Sequence, residues 1–543
     1  MDLWSWISDL PYSDDWSSAD SSSELTFHLA SSTPDRLSKT DQTTAYTTTD
    51  DKSLQFRARR KFTSNSDLLA ITFYVSYQEK ALWVSDTCQV NSDKTFLPLV
   101  LQLLQETISR SPTAHDSITT TCPRSQLQKL KPDSVAWILD SHSPESFSSF
   151  FNLVFLARLF WLCACDAPSE VGSLYFKSIL TPNIEAFSST QSPVLRAFFV
   201  SAGIDVELCI MRTFGYMLTK WLMLREVGVG LQLLTPSYNL RFSYAGETHG
   251  LWVLKGYAPL MATTRCHSNT VNNGYPVFEA KESVLKYALA HQQIEAVIQL
   301  EYSVEFKESF ILVNARVDNI RIHVAKLGFS KKEENGYMHE KHFPSRVRVW
   351  IGPEIGASYV TGLTLGRSTD NIEKETETQK ILKGSFGKTK VPKMKTMTRT
   401  TTRTKVRTWR WDQDSDGHMA IFDTTLCDNT TGVEIATWQP YSGDDVGGGG
   451  GRGNSDEVGQ SFQKRYTGAN RSFTKSGNWV FGEGLEGVKW RLNKEMEGSV
   501  LKWRIGGQIW LSYFPNQVKS SYFETRCVEW CDEVDLPLIL DAY

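Results

Sequence analysis

Residues 294–306 alternate apolar and polar side chains with a period of two. Isoleucine, alanine, leucine and other apolar residues fill every second position, and mostly glutamate or glutamine stands between them, with Val297 as the one exception. Because successive side chains of a β-strand point to opposite faces, this pattern predicts a long strand with one buried and one solvated face. One wet face is typical of antiparallel sheets. Such a strand needs a second layer that covers its apolar face.

Further stretches show the same period. Residues 319–325 and 345–351 alternate, and the tryptophan-rich residues 488–492, 500–505 and 508–513 predict a meander of short strands with turns at the intervening glycines, including Gly506-Gly507. Eight of the 17 tryptophans lie from Trp409 onward, which suits a sheet with aromatic packing. We therefore expect a large antiparallel, sandwich-like domain in the second half of the chain.

The first half has a different pattern. Apolar residues with helical spacing predict helices at 97–108, 150–165, Pro193–Ala202 and 208–226, after three short strands between residues 54 and 85. The predicted fold class is α+β: an N-terminal mixed and helical region followed by the β-rich domain. A chain of 543 residues has room for several domains. We place boundaries at 1–52, 53–235 and 236–543.

Three segments read as flexible. Residues 1–52 are mostly rich in Ser, Thr and Asp, apart from an amphipathic start with Leu3, Ile7 and Leu10 on one side. That start is either a docking motif for a partner groove or an end folded back on the core. Residues 368–397 are polar and charged, and 444–468 contain five consecutive glycines, so both are expected to be flexible insertions in the β-rich domain.

Charge and cysteine content narrow the class of protein. The formal net charge of −3 gives no bulk attraction to nucleic acid or anionic membranes. The nine cysteines are odd in number and mostly in apolar contexts, which favours reduced thiols and a cytoplasmic protein, with the nucleus as an alternative. The start of the chain lacks the pattern of a secretory leader. The apolar run 150–165 contains Asn152 and Arg158, so we expect a buried helix and no transmembrane segment.

An aspartate cluster gives the sharpest local motif. Three aspartates alternate before Gly417, and a fourth follows at the twelfth position of the motif: Asp412, Asp414, Asp416 and Asp423. These are the residue types of a calcium loop, which supplies several oxygens around a sharp glycine turn. The flanks have the period of strands rather than of EF-hand helices. The motif predicts a β-hairpin, 403–411 against 418–426, with the aspartates at its tip, either solvated or holding Ca²⁺ as a cofactor.

A basic segment precedes the aspartates. Between Thr378 and Trp411 there are eleven Lys or Arg and no acid. If it is extended, the end of this segment places basic and aromatic residues on one face, where they could hold phosphates and stack on bases or sit on anionic lipid. The candidate residues of this face are Arg399, Arg403, Lys405, Arg407, Trp409 and Trp411.

Motifs of known enzymes are poorly matched. Gly482, Gly484 and Gly487 fit a dinucleotide-binding spacing, but the residues that follow read as a strand and not as the helix that the pyrophosphate needs. No catalytic residue is assigned. We expect a soluble, intracellular, non-enzymatic protein that acts through protein–protein interaction surfaces. The alternatives are a calcium-dependent β module and a binder of nucleic acid or anionic lipid through residues 380–411.

Overall fold

A computed structural model describes nineteen stretches of the chain. The described residues are 2–12, 24–31, 52–62, 69–90, 92, 94–111, 130–187, 193–226, 240–262, 290–327, 342–354, 356–366, 372–385, 393–406, 409–427, 434–437, 478–482, 487–513 and 524–539. The expected flexible insertion at 444–468 lies outside them. Within them the chain forms an α+β fold, as predicted, with antiparallel sheets and seven α-helices.

The N-terminal part combines a small sheet with helices. A helix, α1, opens the chain, and five strands follow: α1 (Leu3–Asp9), β1 (Glu24–Ser31), β2 (Ser53–Phe62), β3 (Leu69–Tyr77), β4 (Lys80–Val84) and β5 (Cys88–Gln89). The antiparallel order is β1-β2-β3-β4, and β5 pairs with β3. Six more helices follow: α2 (Leu97–Arg110), α3 (Pro132–Ser141), α4 (Pro144–Cys165), α5 (Ser169–Leu174), α6 (Pro193–Ala202) and α7 (Ile204–Glu226).

Aromatic contacts join this sheet to the helices. Phe56 and Phe73 stack with ring centroids 5.4 Å apart, and Phe155 of α4 meets Phe56 edge-on at 5.2 Å. Trp4 of α1 lies 4.9 Å from Phe151. Leu3, Ile7 and Leu10 are buried here as well, so the start of the chain is folded back on the core.

Helix α4 is long and apolar enough to cross a membrane by length and composition, with a mean hydropathy of 1.6 in its most apolar window. In the structure, 83% of that window is buried inside the protein, as in the core helix of a globular fold. Arg158, in the middle of α4, is paired with Glu106 of α2. A buried charge that has a partner fits a protein interior.

The second half of the chain forms two facing antiparallel sheets. Its strands are β6 (Phe242–Thr248), β7 (Leu251–Ala262), β8 (Ala290–Phe306), β9 (Phe310–Lys326), β10 (Phe343–Pro353), β11 (Val360–Thr364), β12 (Ile372–Ser385), β13 (Lys393–Val406), β14 (Trp409–Asp416), β15 (Met419–Leu426), β16 (Asn478–Gly482), β17 (Val488–Asn493), β18 (Val500–Tyr513) and β19 (Glu524–Pro537). One sheet has the order β11-β17-β9-β8-β7-β6, with β16 also paired to β9, and the other has the order β14-β15-β10-β18-β19. Their apolar faces share one core, in which Trp503 lies 4.8 Å from Trp490 and 5.5 Å from Trp252.

The predicted turn at Gly506-Gly507 is wrong, because β18 runs through both glycines without a break. A side chain at either position would meet a large neighbour. A Cβ on Gly506 would lie 2.2 Å from the indole of Trp350, and one on Gly507 would lie 2.6 Å from Ile298. These glycines make room for side chains on the two faces of one strand, which is the other role that glycine has inside strands.

Helix α7 covers part of the polar face of β8, which was expected to be solvated. Arg212 of α7 donates hydrogen bonds of 2.7 and 3.1 Å to the carboxylate of Glu295 in β8, and Glu295 is buried. The period of two in β8 is confirmed, but its polar face is solvated only in part. The alternation within one strand cannot show that a helix from a distant part of the chain packs on its polar face.

Strands β12 and β13 form a two-stranded sheet of their own. Fourteen residue pairs run from Ile372–Val406 to Ser385–Lys393 without a register shift. Most of the segment expected to be a flexible insertion at 368–397 is therefore a regular hairpin.

Candidate functional site

The aspartate motif runs along a strand to a hairpin tip, and only its third aspartate, Asp416, stands beside the turn. Asp412, Asp414 and Asp416 belong to β14, and the turn to β15 is made by Gly417 and His418, with Gly417 at φ +62°. All three aspartates are exposed. Alternate residues of a strand share a face about 7 Å apart, so the first and third carboxylates are separated by two such steps. For the predicted hairpin, 403–411 against 418–426, the second strand is confirmed as β15, and residues 409–411 pair with it as expected. The predicted first strand begins too early, because residues 403–406 belong to β13, and it ends too early, because β14 continues to Asp416.

Asp423, the fourth predicted ligand, is engaged by two arginines. It stands opposite Asp412 in the register of β14 and β15. Arg346 donates to its carboxylate at 3.0 and 2.6 Å, and Arg348 donates at 3.0 and 2.7 Å. Burial raises the pKa of Asp423, but the hydrogen bonds and charges of the two arginines outweigh burial and hold that pKa below the ordinary 3.8. The carboxylate is an ionised centre for two guanidinium groups.

Among the described residues, no group of three or more His, Cys, Asp or Glu is arranged to hold a metal ion. For the aspartate motif the reason is visible in the register. Three carboxylates follow an extended strand, and the fourth is held by arginines. Calcium binding there remains a prediction from sequence.

The predicted basic face is divided between two sheets. Arg399, Arg403 and Lys405 lie on β13, whereas Trp409 and Trp411 lie on β14 in the other sheet. Arg407 falls outside the described residues. Trp411 is 5% exposed in the sandwich core, with its ring 4.4 Å from that of Phe481. Its ring is therefore not free to stack on a nucleic-acid base.

The register of β12 and β13 separates charge along the hairpin. At its base, Glu373 pairs with Lys405 and Glu375 pairs with Arg403. Further out, the described strand residues 378–385 and 393–400 carry five basic residues and no acid, namely Lys380, Lys383, Lys393, Lys395 and Arg399. The sequence between these two stretches adds Lys388 and Lys390. Residues of opposite charge are therefore cross-strand partners at the base of the hairpin, and all charged residues further out are basic.

The outer face of the five-stranded sheet carries an arginine and tryptophan group. The guanidinium carbon of Arg346 lies 5.0 Å from the ring centre of Trp510, and that of Arg348 lies 5.8 Å from it. Both distances are within the range of cation–π attraction. Together with Asp423 these residues form a polar and aromatic surface that continues to Gln508 and Glu529, joined by a hydrogen bond of 3.2 Å.

Sequence reasoning missed this face. The alternation of 345–351 indicated that Arg346 and Arg348 share one side of a strand. The cross-strand partners Asp423 and Trp510 come from residues at least 75 positions away, and the sequence gives no local signal for that pairing.

A buried cluster around Glu207 was also missed. Glu207 of α7 accepts hydrogen bonds from the hydroxyls of Tyr244 and Tyr257, both 2.6 Å long, and from Lys255 Nζ at 2.7 Å. Burial, reinforced by the adjacent carboxylate, raises the pKa of both tyrosines well above 10, so they are neutral donors. The four side chains are mutually satisfied, and they fasten helix α7 to β6 and β7.

Comparison with known proteins gives little. No protein-family model matches the chain, and no curated protein matches it. Among solved structures, the Clostridium perfringens NetB toxin in its membrane-inserted form matches at 9% identity with a TM-score of 0.21, over 54% of this chain and 94% of that one. Clostridium perfringens delta-toxin matches at 10% identity and a TM-score of 0.21, over 54% and 96%. Similarity at this level carries no conclusion about this chain.

Proposed function

We propose that this protein is a non-enzymatic binding protein whose binding element is the β12–β13 hairpin, and that it binds anionic lipid surfaces. The observation that carries the proposal is the separation of charge along the hairpin. Acidic and basic residues are paired at its base, and seven basic residues without an acid follow in residues 378–400. Each Lys or Arg near an anionic leaflet contributes about 1 kcal/mol of attraction.

The near-neutral charge of the whole chain does not oppose this. Salt screens charges over about 10 Å at 0.1 M, so a surface senses the local cluster rather than the sum over 543 residues. A cytoplasmic location, which remains an expectation, would place the hairpin on the same side as anionic phosphatidylserine.

Lipid fits better than nucleic acid. Binding of single strands uses aromatic platforms beside basic groups. The tryptophans that sequence analysis assigned to this face belong to another sheet, and Phe386 is the single aromatic residue of 372–406. The outer hairpin instead interleaves its cations with aliphatic residues and methionines: Ile381, Leu382, Met394 and Met397. Basic and apolar residues together suit the lipid headgroup region.

Vesicle co-sedimentation tests the proposal. The full-length protein is expected to bind vesicles of phosphatidylcholine with phosphatidylserine and not vesicles of phosphatidylcholine alone. Binding should weaken as salt rises from roughly 0.05 to 0.5 M. The double variant Lys393→Glu/Lys395→Glu should lose most of it.

A matched control carries the same change in net charge at exposed positions in the N-terminal part of the chain, Lys80→Glu/Lys131→Glu. It should bind as the wild type does. Equal losses in both double variants would mean that only total charge matters and would overturn the role of the hairpin. Tighter binding to single-stranded DNA than to the anionic vesicles would overturn the lipid proposal and support the alternative that these basic residues bind nucleic acid.

A protein partner, the first expectation from sequence, remains a prediction. Deleting residues 368–400 tests it together with the lipid proposal. Deleting residues 1–24 does not, because Leu3 and Ile7 lie in the core and their loss would disturb folding.

A further inference from the structure

We propose that strand β13 of the basic hairpin docks on the open edge of β14, where the aspartates of β14 hold its arginines and compete with an anionic lipid surface for them. This regulation rests on the proposed lipid binding, whereas the docking itself is measured without lipid. Three features carry it: two open strand edges, a two-residue connection between them, and a match of charges along the two strands.

The open edges belong to strands that follow each other in the chain. Among the described strands, β14 pairs with β15 alone and β13 pairs with β12 alone. Alternate residues at the edge of a sheet point their backbone N–H and C=O groups outward, where another strand can pair with them. Each of the two strands therefore offers the backbone groups that the other needs.

The connection between the two strands sets the register of docking. Only Arg407 and Thr408 lie between Val406 and Trp409 in the sequence. Two residues are the commonest connection of an antiparallel hairpin. With Val406 and Trp409 as the first cross-strand pair, β13 and then β12 extend the five-stranded sheet beyond β14.

The charges of the two strands match in this register. The outer face of β14 carries one arginine and three exposed aspartates: Arg410, Asp412, Asp414 and Asp416. Counting from the connection, Arg403 becomes the partner of Asp412. Arg399 becomes the partner of Asp416. Opposite charges on directly paired residues stabilise a sheet, whereas Lys405 meets Arg410 with like charge beside the turn, so the net gain is small.

The other face of β13 suits the margin of the sandwich core. Its threonines at 400 and 402 become the partners of Ser415 and Gln413, which continue the inner face of β14 beyond the buried Trp411. Because these residues are polar, docking covers little apolar area and undocking exposes little. Strand β13 can therefore join and leave the edge without opening the core.

Docking and lipid binding compete for the same cations. In the structure, β13 pairs with β12 and the hairpin forms a sheet of its own. In the docked arrangement, the aspartates of β14 stand beside Arg399 and Arg403 and lower the local positive charge that a surface senses. An anionic leaflet offers the hairpin the same negative charge over a larger area and releases it from β14.

Hydrogen exchange of the full-length protein without lipid tests the docking. Outward backbone amides of β14 should exchange about tenfold more slowly in the wild type than in Arg399→Glu/Arg403→Glu. Adding Asp412→Lys/Asp416→Lys to that variant exchanges the two charges and should restore slow exchange. The amides of β15 are the internal reference and should exchange alike in all variants.

Two outcomes overturn the docking. One is equally fast exchange of the β14 amides in the wild type and the charge-reversed variant, or no recovery when both strands are reversed. The other is protection that rises with protein concentration, which would place the contact between copies instead of within one chain.

Vesicle co-sedimentation tests the competition. Asp412→Asn/Asp416→Asn should bind phosphatidylserine-containing vesicles at about threefold lower lipid concentration than the wild type, because the competing charges are gone. The control Asp133→Asn/Glu170→Gln makes the same change in net charge at exposed positions of the N-terminal part and should bind as the wild type does. Equal binding by the wild type and the β14 variant overturns the competition. If no variant binds vesicles while the exchange results hold, the docking stands and the lipid proposal alone fails.

Discussion

Two consecutive hairpins, β12–β13 and β14–β15, both alternate residue types along their strands but have different places in the fold. Both carry charged residues at alternate positions of a strand, and they are separated by Arg407 and Thr408 alone. The first forms its own two-stranded sheet, whereas the second is the outer pair of the five-stranded sheet. The difference teaches that alternation of residue type makes a strand, and that large apolar residues at alternate positions decide whether the strand joins a core.

The second hairpin has those apolar residues. Trp411, Ala420 and Phe422 are all buried against the opposite sheet. In β13 one face runs from Met394 to Val406, and every second residue between them (396, 398, 400, 402 and 404) is threonine. Threonine has good strand propensity, but it offers little apolar area for a second sheet to cover.

The largest expected effect comes from removing the anchor of the second hairpin. Trp411→Ala should lower the free energy of unfolding by about 3–5 kcal/mol, because it leaves a large cavity in the sandwich core. Urea denaturation followed by circular dichroism measures it. Replacing residues 372–406 with a short Gly-Ser linker should leave the urea midpoint of the sandwich nearly unchanged. A midpoint lowered as much by the linker as by Trp411→Ala would erase the distinction between the hairpins.

A smaller loss is expected at the glycines that let β18 run straight. Gly506→Val should cost about 1–3 kcal/mol, because the new side chain must displace the indole of Trp350. Gly362→Val is the control, since Gly362 also lies in a strand and has no atom within 4 Å of an added Cβ. Equal urea midpoints for the two variants would show that Gly506 is not needed for space.

The fold was more predictable than the site, for a physical reason. Period-two and helical patterns are local, and they located β8, β10, α6 and α7. The Gly506-Gly507 pair misled because glycine serves both turns and close packing, and only the far partners Trp350 and Ile298 distinguish the two uses. The polar face depends on Asp423 meeting Arg346 and Arg348 across a register that no local pattern encodes.

The next loss of stability is expected at the ion pairs between β15 and β10. Asp423→Asn should destabilise by about 1–3 kcal/mol, because it leaves two half-buried guanidinium groups without their anion. Asp412→Asn, at the exposed cross-strand neighbour, should change stability by less than about 0.5 kcal/mol. Chemical denaturation of both variants at neutral pH measures the difference.

The effect of Asp423 should fade in acid. Its pKa in the folded protein lies below the ordinary value near 3.8, so its contribution is fully present above that value and is lost as pH falls through the lower folded pKa. The stability gap between wild type and Asp423→Asn should therefore narrow below about pH 4. A gap that stays constant down to pH 2–3 would mean that the carboxylate contributes through packing and not through charge.

The smallest expected effect concerns the aspartates of β14 and calcium. A site with a Kd near 0.1 mM would stabilise the fold by about 1.4 kcal/mol at 1 mM Ca²⁺. We expect no shift of the melting temperature, because Asp412, Asp414 and Asp416 follow an extended strand and the carboxylate of Asp423 is already hydrogen-bonded to two arginines. A shift that Asp414→Ala abolishes would require β14 to bend so that its carboxylates converge. In that event the second hairpin, and not only the first, would be a binding element.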